Sequence, residues 1–181
     1  MRSLHRIAVD RFLRSAIPST PGLTCLHLGS GATPRGVYRP PAGQRWVDAD
    51  LMGGHVRADF HSLPFRTRTF DVIRFTEAVY HTVYVRGVLS ECGRVLKSRG
   101  RLVITAPLLF SQINQDDCMR LTETGWRRVL PFGSVEITPL GGYWSHLVSH
   151  LEHASRVFAA LRPLARLDDG RYPTALGIIC W

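Results

Sequence analysis

The sequence has very little lysine: Lys97 stands alone among 23 basic residues, so nearly all of the +9 net charge comes from arginine. The arginines are scattered along the chain, in no run longer than two. Nucleic-acid-binding surfaces usually cluster their basic residues and interleave them with aromatic ones. The composition therefore favours an acidic small substrate, or no electrostatic role at all, over a polyanionic partner such as nucleic acid.

Long hydrophobic runs and metal-type cysteine spacings are also missing. No apolar stretch reaches the roughly 18 residues of a transmembrane helix. The segment 1–14 mixes basic and apolar residues at helical spacing, which predicts an amphipathic helix within residues 1–20 and not a secretory signal. The four cysteines are far apart and match no zinc site. We therefore expect one cytoplasmic domain over residues 1–181.

The most informative pattern is Leu-His-Leu-Gly-Ser-Gly at residues 26–31, called the first motif below. An apolar run ending in two glycines suits a buried strand followed by a tight turn. Asp50 lies nineteen residues beyond Gly31, where a doubly wound sheet places an acid against the ribose hydroxyls of an adenosine ligand. Asp50 has a second interpretation as the cap of a turn, and Asp48 replaces it if the register is shifted by two.

The third glycine of a dinucleotide fingerprint is absent, because its position is occupied by Pro34. Prolines and glycine continue through residues 32–45, which therefore cannot form the long helix whose N-terminus would hold a pyrophosphate. The sequence thus argues against a nicotinamide or flavin dinucleotide. It favours an adenosine ligand without phosphates.

Apolar runs alternate with helical patterns along the chain, as βαβ units require. Strands are predicted at 24–28, 45–49, 56–58, 71–75, 101–106, 134–138 and 175–181. Helices are predicted at 84–97, from Thr122 or Thr124 to about residue 130, and at 144–162. Lys97 and Gly100 indicate where the helix over 84–97 ends.

The segment 139–173 interrupts this alternation between the last two strands and is predicted to be a helical insertion that acts as a lid or substrate wall. Its Gly141-Gly142 pair is a candidate hinge. Three histidines, His146, His150 and His153, recur at helical spacing. They adjoin an apolar stripe and come from one element, so we expect a polar boundary and no metal site.

Five segments resemble one family in their order and spacing. They are the first motif, Trp-Val-Asp-Ala-Asp-Leu at 46–51, Ala-Asp-Phe-His-Ser-Leu-Pro-Phe at 58–65, Thr-Glu-Ala-Val-Tyr-His at 76–81, and the run from Arg94 into Ile104. The chain resembles the class I S-adenosylmethionine-dependent methyltransferases, in particular short bacterial members whose first motif is Leu-Asn-Leu-Gly-Ser-Gly.

This resemblance implies an α/β fold: a Rossmann-like, doubly wound, mostly parallel seven-stranded sheet with an antiparallel last strand and a helical insertion before it. It implies a cofactor-binding core over 21–110 and S-adenosylmethionine as the cofactor. The cofactor-binding residues it implies are His27, Gly29, Ser30, Gly31, Asp48, Asp50, Asp59, Phe60 and Glu77. From its residue type alone, Asp59 is equally well a carboxylate that holds a turn.

His81 follows the fourth predicted strand, at the edge where open α/β sheets bind ligands. Histidine is the residue type that most often acts as a general base toward an oxygen nucleophile, so His81 is the catalytic candidate. A purely structural histidine at this position is the alternative.

Three functions are compatible with these residues. The first is a methyltransferase acting on a small-molecule or a glycan- or lipid-linked acceptor. The second is a non-catalytic protein that binds S-adenosylmethionine or S-adenosylhomocysteine, because His27 and Tyr80 replace the acid or Asn and the Glu of the family pattern. The third is an RNA-modifying enzyme, which the sequence favours least because no Asn-Pro-Pro-Tyr type loop follows the fourth strand.

Overall fold

A mixed seven-stranded β-sheet forms the centre of the molecule. The computed structural model describes residues 3–31, 38–109, 115–154 and 156–181, and the side chains of 152–158 lie outside this description. The strands are β1 (Thr24–Leu28), β2 (Arg45–Asp50), β3 (Val56–Arg57), β4 (Phe70–Thr76), β5 (Leu96–Pro107), β6 (Val135–Leu140) and β7 (Ala175–Cys180). The α-helices are α1 (Leu4–Ala16), α2 (Val85–Val95), α3 (Glu123–Val129) and α4 (Tyr143–Ala154), and two 3-10 helices span Val79–His81 and Arg156–Leu167.

The strand order is β3-β2-β1-β4-β5-β7-β6. Strand β1 pairs in parallel with both β2 and β4, so the order reverses direction beside β1. Strand β7 runs antiparallel between β5 and β6. This architecture confirms the predicted doubly wound sheet with an antiparallel last strand. The edge at which the parallel strands end is called the carboxyl edge below.

The two faces of the sheet follow from the alternation of side chains along each strand. On one face, called the first face, Leu26 and Leu28 of β1 join an apolar core that contains residues of α2 and α3. On the other, the second face, Cys25 packs with α1 residues such as Val9 and Phe12. Helix α4 lies beside α1, where Val148 is fully buried. Helices α1, α2, α3 and α4 thus each bury apolar residues.

Two helix predictions need correction. The helix predicted over 84–97 ends at Val95, and Leu96 already has extended backbone and begins β5. Leu96 pairs with Phe70 across an irregularity in the β4–β5 register. Because a buried leucine fits both the helical and the strand pattern, periodicity could not locate this boundary.

The single helix predicted over 144–162 corresponds to two segments, α4 and the 3-10 helix Arg156–Leu167; residue 155 lies outside the described residues. Pro163 lies inside the second segment and has no amide hydrogen for an α-helical bond. Elsewhere the predictions hold to within a few residues. Thr122, and not Thr124, caps α3, because its hydroxyl accepts a hydrogen bond from the Gly125 amide.

Candidate functional site

The loops after β1 and β4 come into direct contact at the carboxyl edge. Gly29 follows β1 with a φ of 70°, and a Cβ at this residue would lie 2.3 Å from the Cβ of Ala78, which follows β4. A residue without a side chain permits both this backbone conformation and this approach. The contact lies where the strand order reverses, which is the ligand-binding position of open α/β sheets.

Asp50 lies at the same edge and is held by backbone amides. Its Oδ2 accepts a hydrogen bond from the Gly31 amide at 2.9 Å, and its Oδ1 accepts one from the Met52 amide at 2.8 Å. The carboxylate therefore caps its turn. Each of its oxygens keeps a second lone pair that a ligand hydroxyl could use. Ser30, half-buried between Gly29 and Gly31, completes the glycine turn.

Asp48 precedes this position and faces two histidines. Its Oδ1 lies 3.1 Å from Nδ1 of His27, and its Oδ2 lies 3.6 Å from Nδ1 of His55. Asp48 and His27 are register partners on β2 and β1. Asp50, and not Asp48, is therefore the carboxylate bound to the glycine turn.

His27 is largely buried and belongs to a basic cluster on the second face. Arg74 is its register partner on β4 and donates to Nε2 of the imidazole, with Nη2 2.9 Å away, while Nδ1 faces the Asp48 carboxylate. Burial, reinforced by the charge of Arg74, lowers the pKa of His27 from 6.5 to about 4. The ring is therefore neutral at pH 7 and can accept the hydrogen bond that the guanidinium donates.

Arg74 is enclosed by aromatic rings. Its guanidinium carbon lies 5.2 Å from the ring centroid of Tyr38 and 5.4 Å from that of Trp46, which are cation–π distances. Burial lowers the pKa of Arg74 to about 10, so the side chain stays charged at pH 7. Sequence reasoning missed this residue, although an arginine inside the apolar β4 run was a usable signal.

Asp59 and Phe60 follow β3, and Phe60 lies against the glycine turn. The Asp59 carboxylate accepts hydrogen bonds from the backbone amide of His61 at 2.9 Å and lies 2.7 Å from its ring. These contacts, the backbone bond first, lower the pKa of Asp59. Phe60 packs edge-on against Phe75, with ring centroids 4.9 Å apart, and its ring tip is 3.6 Å from the position of a Gly29 Cβ.

Glu77 begins the loop after β4 in a strained conformation. Its φ is 51°, in the left-handed region that L residues other than glycine adopt rarely and at some cost. Its Oε2 lies 2.9 Å from Nε2 of His5 on α1, a residue that sequence reasoning did not connect with the site. Its Oε1 is buried and lacks a hydrogen-bond partner in the described part of the chain. A buried carboxylate oxygen normally has a donor, so the arrangement leaves an acceptor position for a ligand.

His81 ends the 3-10 helix that follows Glu77 and is exposed. Its Nδ1 lies 3.3 Å from the carbonyl oxygen of Asp116, and its ring centroid is 4.4 Å from that of buried Tyr80. The amide of Cys118 donates to the carbonyl of Tyr80 at 2.9 Å. The segment after β5 thus packs against this 3-10 helix, and His81 stands at their junction.

Two of the three α4 histidines, His146 and His150, are described and lie against each other. The rings of His146 and His150 are 4.2 Å apart, and Nδ1 of His150 donates to the His146 carbonyl; the side chain of His153 lies outside the described residues. Within residues 3–31, 38–109, 115–154 and 156–181, no group of three or more His, Cys, Asp or Glu side chains could hold a metal ion. Nor does any helix in those ranges have the length and hydrophobicity needed to cross a bilayer.

Comparison with known proteins identifies one group of relatives. Residues 41–104 match the family described as "Methyltransferase domain". Demethylmenaquinone methyltransferase of Thermotoga maritima is 46% identical over 63 residues, which are 35% of this chain and 26% of that protein. The matched part thus spans about a quarter of the relative's length.

Solved structures are similar over nearly the whole chain. A SAM-dependent methyltransferase from Archaeoglobus fulgidus superposes with a TM-score of 0.60 at 20% identity, covering 97% of this chain and 93% of the other. The geranyl diphosphate C-methyltransferase of Streptomyces coelicolor gives a TM-score of 0.64 at 18% identity, covering 96% and 75% of the two chains. At these identities the likeness establishes the fold.

Proposed function

We propose that this chain is a class I methyltransferase that transfers a methyl group from S-adenosylmethionine to a small-molecule or a glycan- or lipid-linked acceptor. The match of residues 41–104 to a methyltransferase-domain family and the shared fold support this proposal. One observation carries the proposal. The glycine turn, the Asp50 carboxylate and the buried Oε1 of Glu77 all lie at the reversal point of the sheet. A ligand bound there could approach the backbone of the glycine turn closely. Its hydroxyl groups could donate hydrogen bonds to Asp50, and a cationic group could bind Oε1 of Glu77.

The residues present fit this cofactor. Gly29 and Gly31, which have no side chains, would let the cofactor come close to the protein backbone. Asp50 would accept hydrogen bonds from the ribose hydroxyls. The open Oε1 of Glu77 suits the methionine ammonium, which carries both the hydrogen atoms and the charge that a buried carboxylate requires. Asp59 and Phe60 would flank the adenine. The cofactor would supply the activated methyl group.

His27 would play a different part in this arrangement. Its neutral ring is bound by Arg74 and lies beside Asp48, so we assign it to positioning the strand below the glycine turn. Glu77 then replaces it as the group that binds the ammonium. Because Glu77 would bind the ammonium, the site can tolerate His27 at the position where the family pattern has an acid or Asn.

Methyl transfer from a sulfonium is an in-line displacement, so the task of the protein is mostly to orient the reacting groups. A base is needed only when the acceptor must lose a proton as it attacks. His81 ends the 3-10 helix that follows Glu77 and is exposed, which suits it to take a proton from an acceptor hydroxyl. The insertion 139–173 would form the outer wall of the acceptor site.

A non-catalytic role in binding S-adenosylmethionine or S-adenosylhomocysteine is the second candidate. The observation that favours it is Tyr80, whose buried ring contacts His81 and lies 5.2 Å from the Arg120 guanidinium. The family pattern has a Glu at that position. Turnover with any acceptor would decide against this candidate.

Calorimetry with S-adenosylmethionine, S-adenosylhomocysteine and NAD in parallel tests the proposal. The first two are expected to bind and NAD is not. Asp50→Ala is expected to weaken binding by about 1–3 kcal/mol, the scale for a lost buried hydrogen-bond partner. Asp71→Ala is the matched control, because Asp71 also accepts a backbone hydrogen bond, from Thr24, but at the opposite edge. Absence of any heat with either sulfur ligand would contradict the proposal.

With a hydroxyl acceptor, His81→Ala is expected to reduce turnover by about 10²–10⁴-fold while cofactor affinity is unchanged. Thermal unfolding should show that the variant remains folded. If His81→Ala abolishes cofactor binding or unfolds the protein, His81 is structural and its assignment as a base is wrong.

A further inference from the structure

Exposed apolar side chains are concentrated at the carboxyl edge. Five of them form what we call the apolar rim: Val83, Tyr84, Leu109, Tyr143 and Tyr172. Val83 and Tyr84 follow β4, Leu109 follows β5, Tyr143 follows β6, and Tyr172 precedes the antiparallel β7. All five therefore lie at the same edge as the glycine turn, on the half of the sheet that begins at β4.

The rim side chains are large and well exposed. Tyr84 is 72% exposed and Val83 is 64% exposed. The rings of Tyr143 and Tyr172 are 6.2 Å apart in an edge-on arrangement, so they present one joint aromatic surface. Large apolar side chains exposed together along one edge of a sheet are a feature of binding surfaces.

The charges near the rim do not favour an anionic ligand. Arg171, next to Tyr172, pairs with Asp169 at 2.6 Å, and Arg120 pairs with Asp117. Asp168 is bound to the amide of Trp144, at the start of α4. In each of these ion pairs a carboxylate neutralises the arginine, so the pairs present no net positive charge to a phosphate or carboxylate on the acceptor.

We propose that the acceptor is an uncharged amphiphile whose hydrocarbon chain lies across the apolar rim while its nucleophilic head reaches the cofactor beside Glu77 and His81. This inference rests on the proposed function and narrows it to lipid-like acceptors. Burial of the chain against the rim supplies affinity in proportion to the apolar area covered. Glycans and sugar phosphates lack such a chain and would leave the rim exposed.

The experiment uses the full chain saturated with S-adenosylhomocysteine and a series of probes, 4-ethylphenol, 4-pentylphenol and 4-octylphenol, with binding measured by equilibrium dialysis. Affinity is expected to rise by about two- to fourfold for each added methylene, as burial of the chain predicts. The double variant Val83→Ser, Tyr84→Ser is expected to bind 4-octylphenol at least tenfold more weakly and 4-ethylphenol about equally.

Trp181→Ser is the matched control, because Trp181 is 50% exposed but lies at the opposite edge, beside Arg101. It is expected to bind the whole series like the wild type. An affinity independent of chain length, an equal loss in the control variant, or tighter binding of ribose 5-phosphate than of 4-octylphenol would overturn the inference. The heat of S-adenosylhomocysteine binding is recorded first on the same sample. If this heat is present but the alkylphenol results fail, only the inference about the acceptor is wrong; if the heat is absent, the proposed function itself fails.

Discussion

The two faces of the sheet are built by the same strands but contain different chemistry. On the first face, Leu26 and Phe75 lie in a continuous apolar core. The neighbouring residues of the same strands point to the second face, where buried Arg74 is paired with the largely buried His27. The first face is stabilised mainly by apolar burial, whereas the second also depends on charge and protonation. Adjacent positions of one strand should therefore respond differently to mutation and to pH.

The largest effect is expected on the first face. Phe75→Ala removes a fully buried ring from the apolar core and should lower the free energy of unfolding by about 3–5 kcal/mol at any pH between 5 and 8. Urea-induced unfolding followed by circular dichroism measures this loss. A loss of less than about 1 kcal/mol would mean that the core is looser than the structure indicates.

An intermediate effect, dependent on pH, is expected on the second face. The folded-state pKa of His27 is lowered from 6.5 to about 4. Between these two pH values, His27 is therefore protonated in the unfolded chain and neutral in the folded chain. Stability should therefore fall as pH falls through this window, with a contribution from His27 of up to about 3 kcal/mol.

The difference between wild type and His27→Gln isolates this contribution from that of other groups. Urea unfolding at pH 4, 5, 6 and 7 should show the difference changing across the window and levelling off above it. Parallel curves for the two proteins would show that His27 titrates normally and that the basic cluster is not formed.

The smallest effect is expected for Arg74→Met, which keeps the volume of the side chain while removing its charge. The loss of stability at pH 7 should be about 1–2 kcal/mol, the scale of one hydrogen bond lost from a buried group. The pKa of His27 should rise, because the charge of Arg74 no longer opposes protonation and Asp48 still favours it. A histidine titration by NMR measures this shift; an unchanged pKa would contradict the electrostatic role of Arg74.

The fold could be predicted from the sequence where short-range patterns determine it. Strand β1 and the glycine turn are visible because an apolar run ends in residues that tolerate a positive φ. The start of β5 was not visible, because Leu96 becomes part of a strand only through its pairing with Phe70. Local periodicity cannot report a long-range pairing.

The candidate site likewise contains residues that the sequence predicted and contacts that it could not predict. Asp50 was identified from its spacing to Gly31, and the structure shows the hydrogen bond that joins them. The contacts of Glu77 with His5 and of His27 with Arg74 join distant parts of the chain, so spacing contains no trace of them. Sequence reasoning therefore found the residues that follow strands and missed the partners that support them.

The contact between His5 and Glu77 links the site to the folding of the chain. These residues are 72 positions apart, so the carboxylate acquires this partner only after the first turn of α1 docks against the completed sheet. Any opening of α1 in the native state would release Glu77 and disturb the proposed ammonium site. By thermodynamic linkage, a ligand that requires the docked helix must slow hydrogen exchange of the α1 amides as it binds. The N-terminal helix would then report occupancy of a site that it does not itself line.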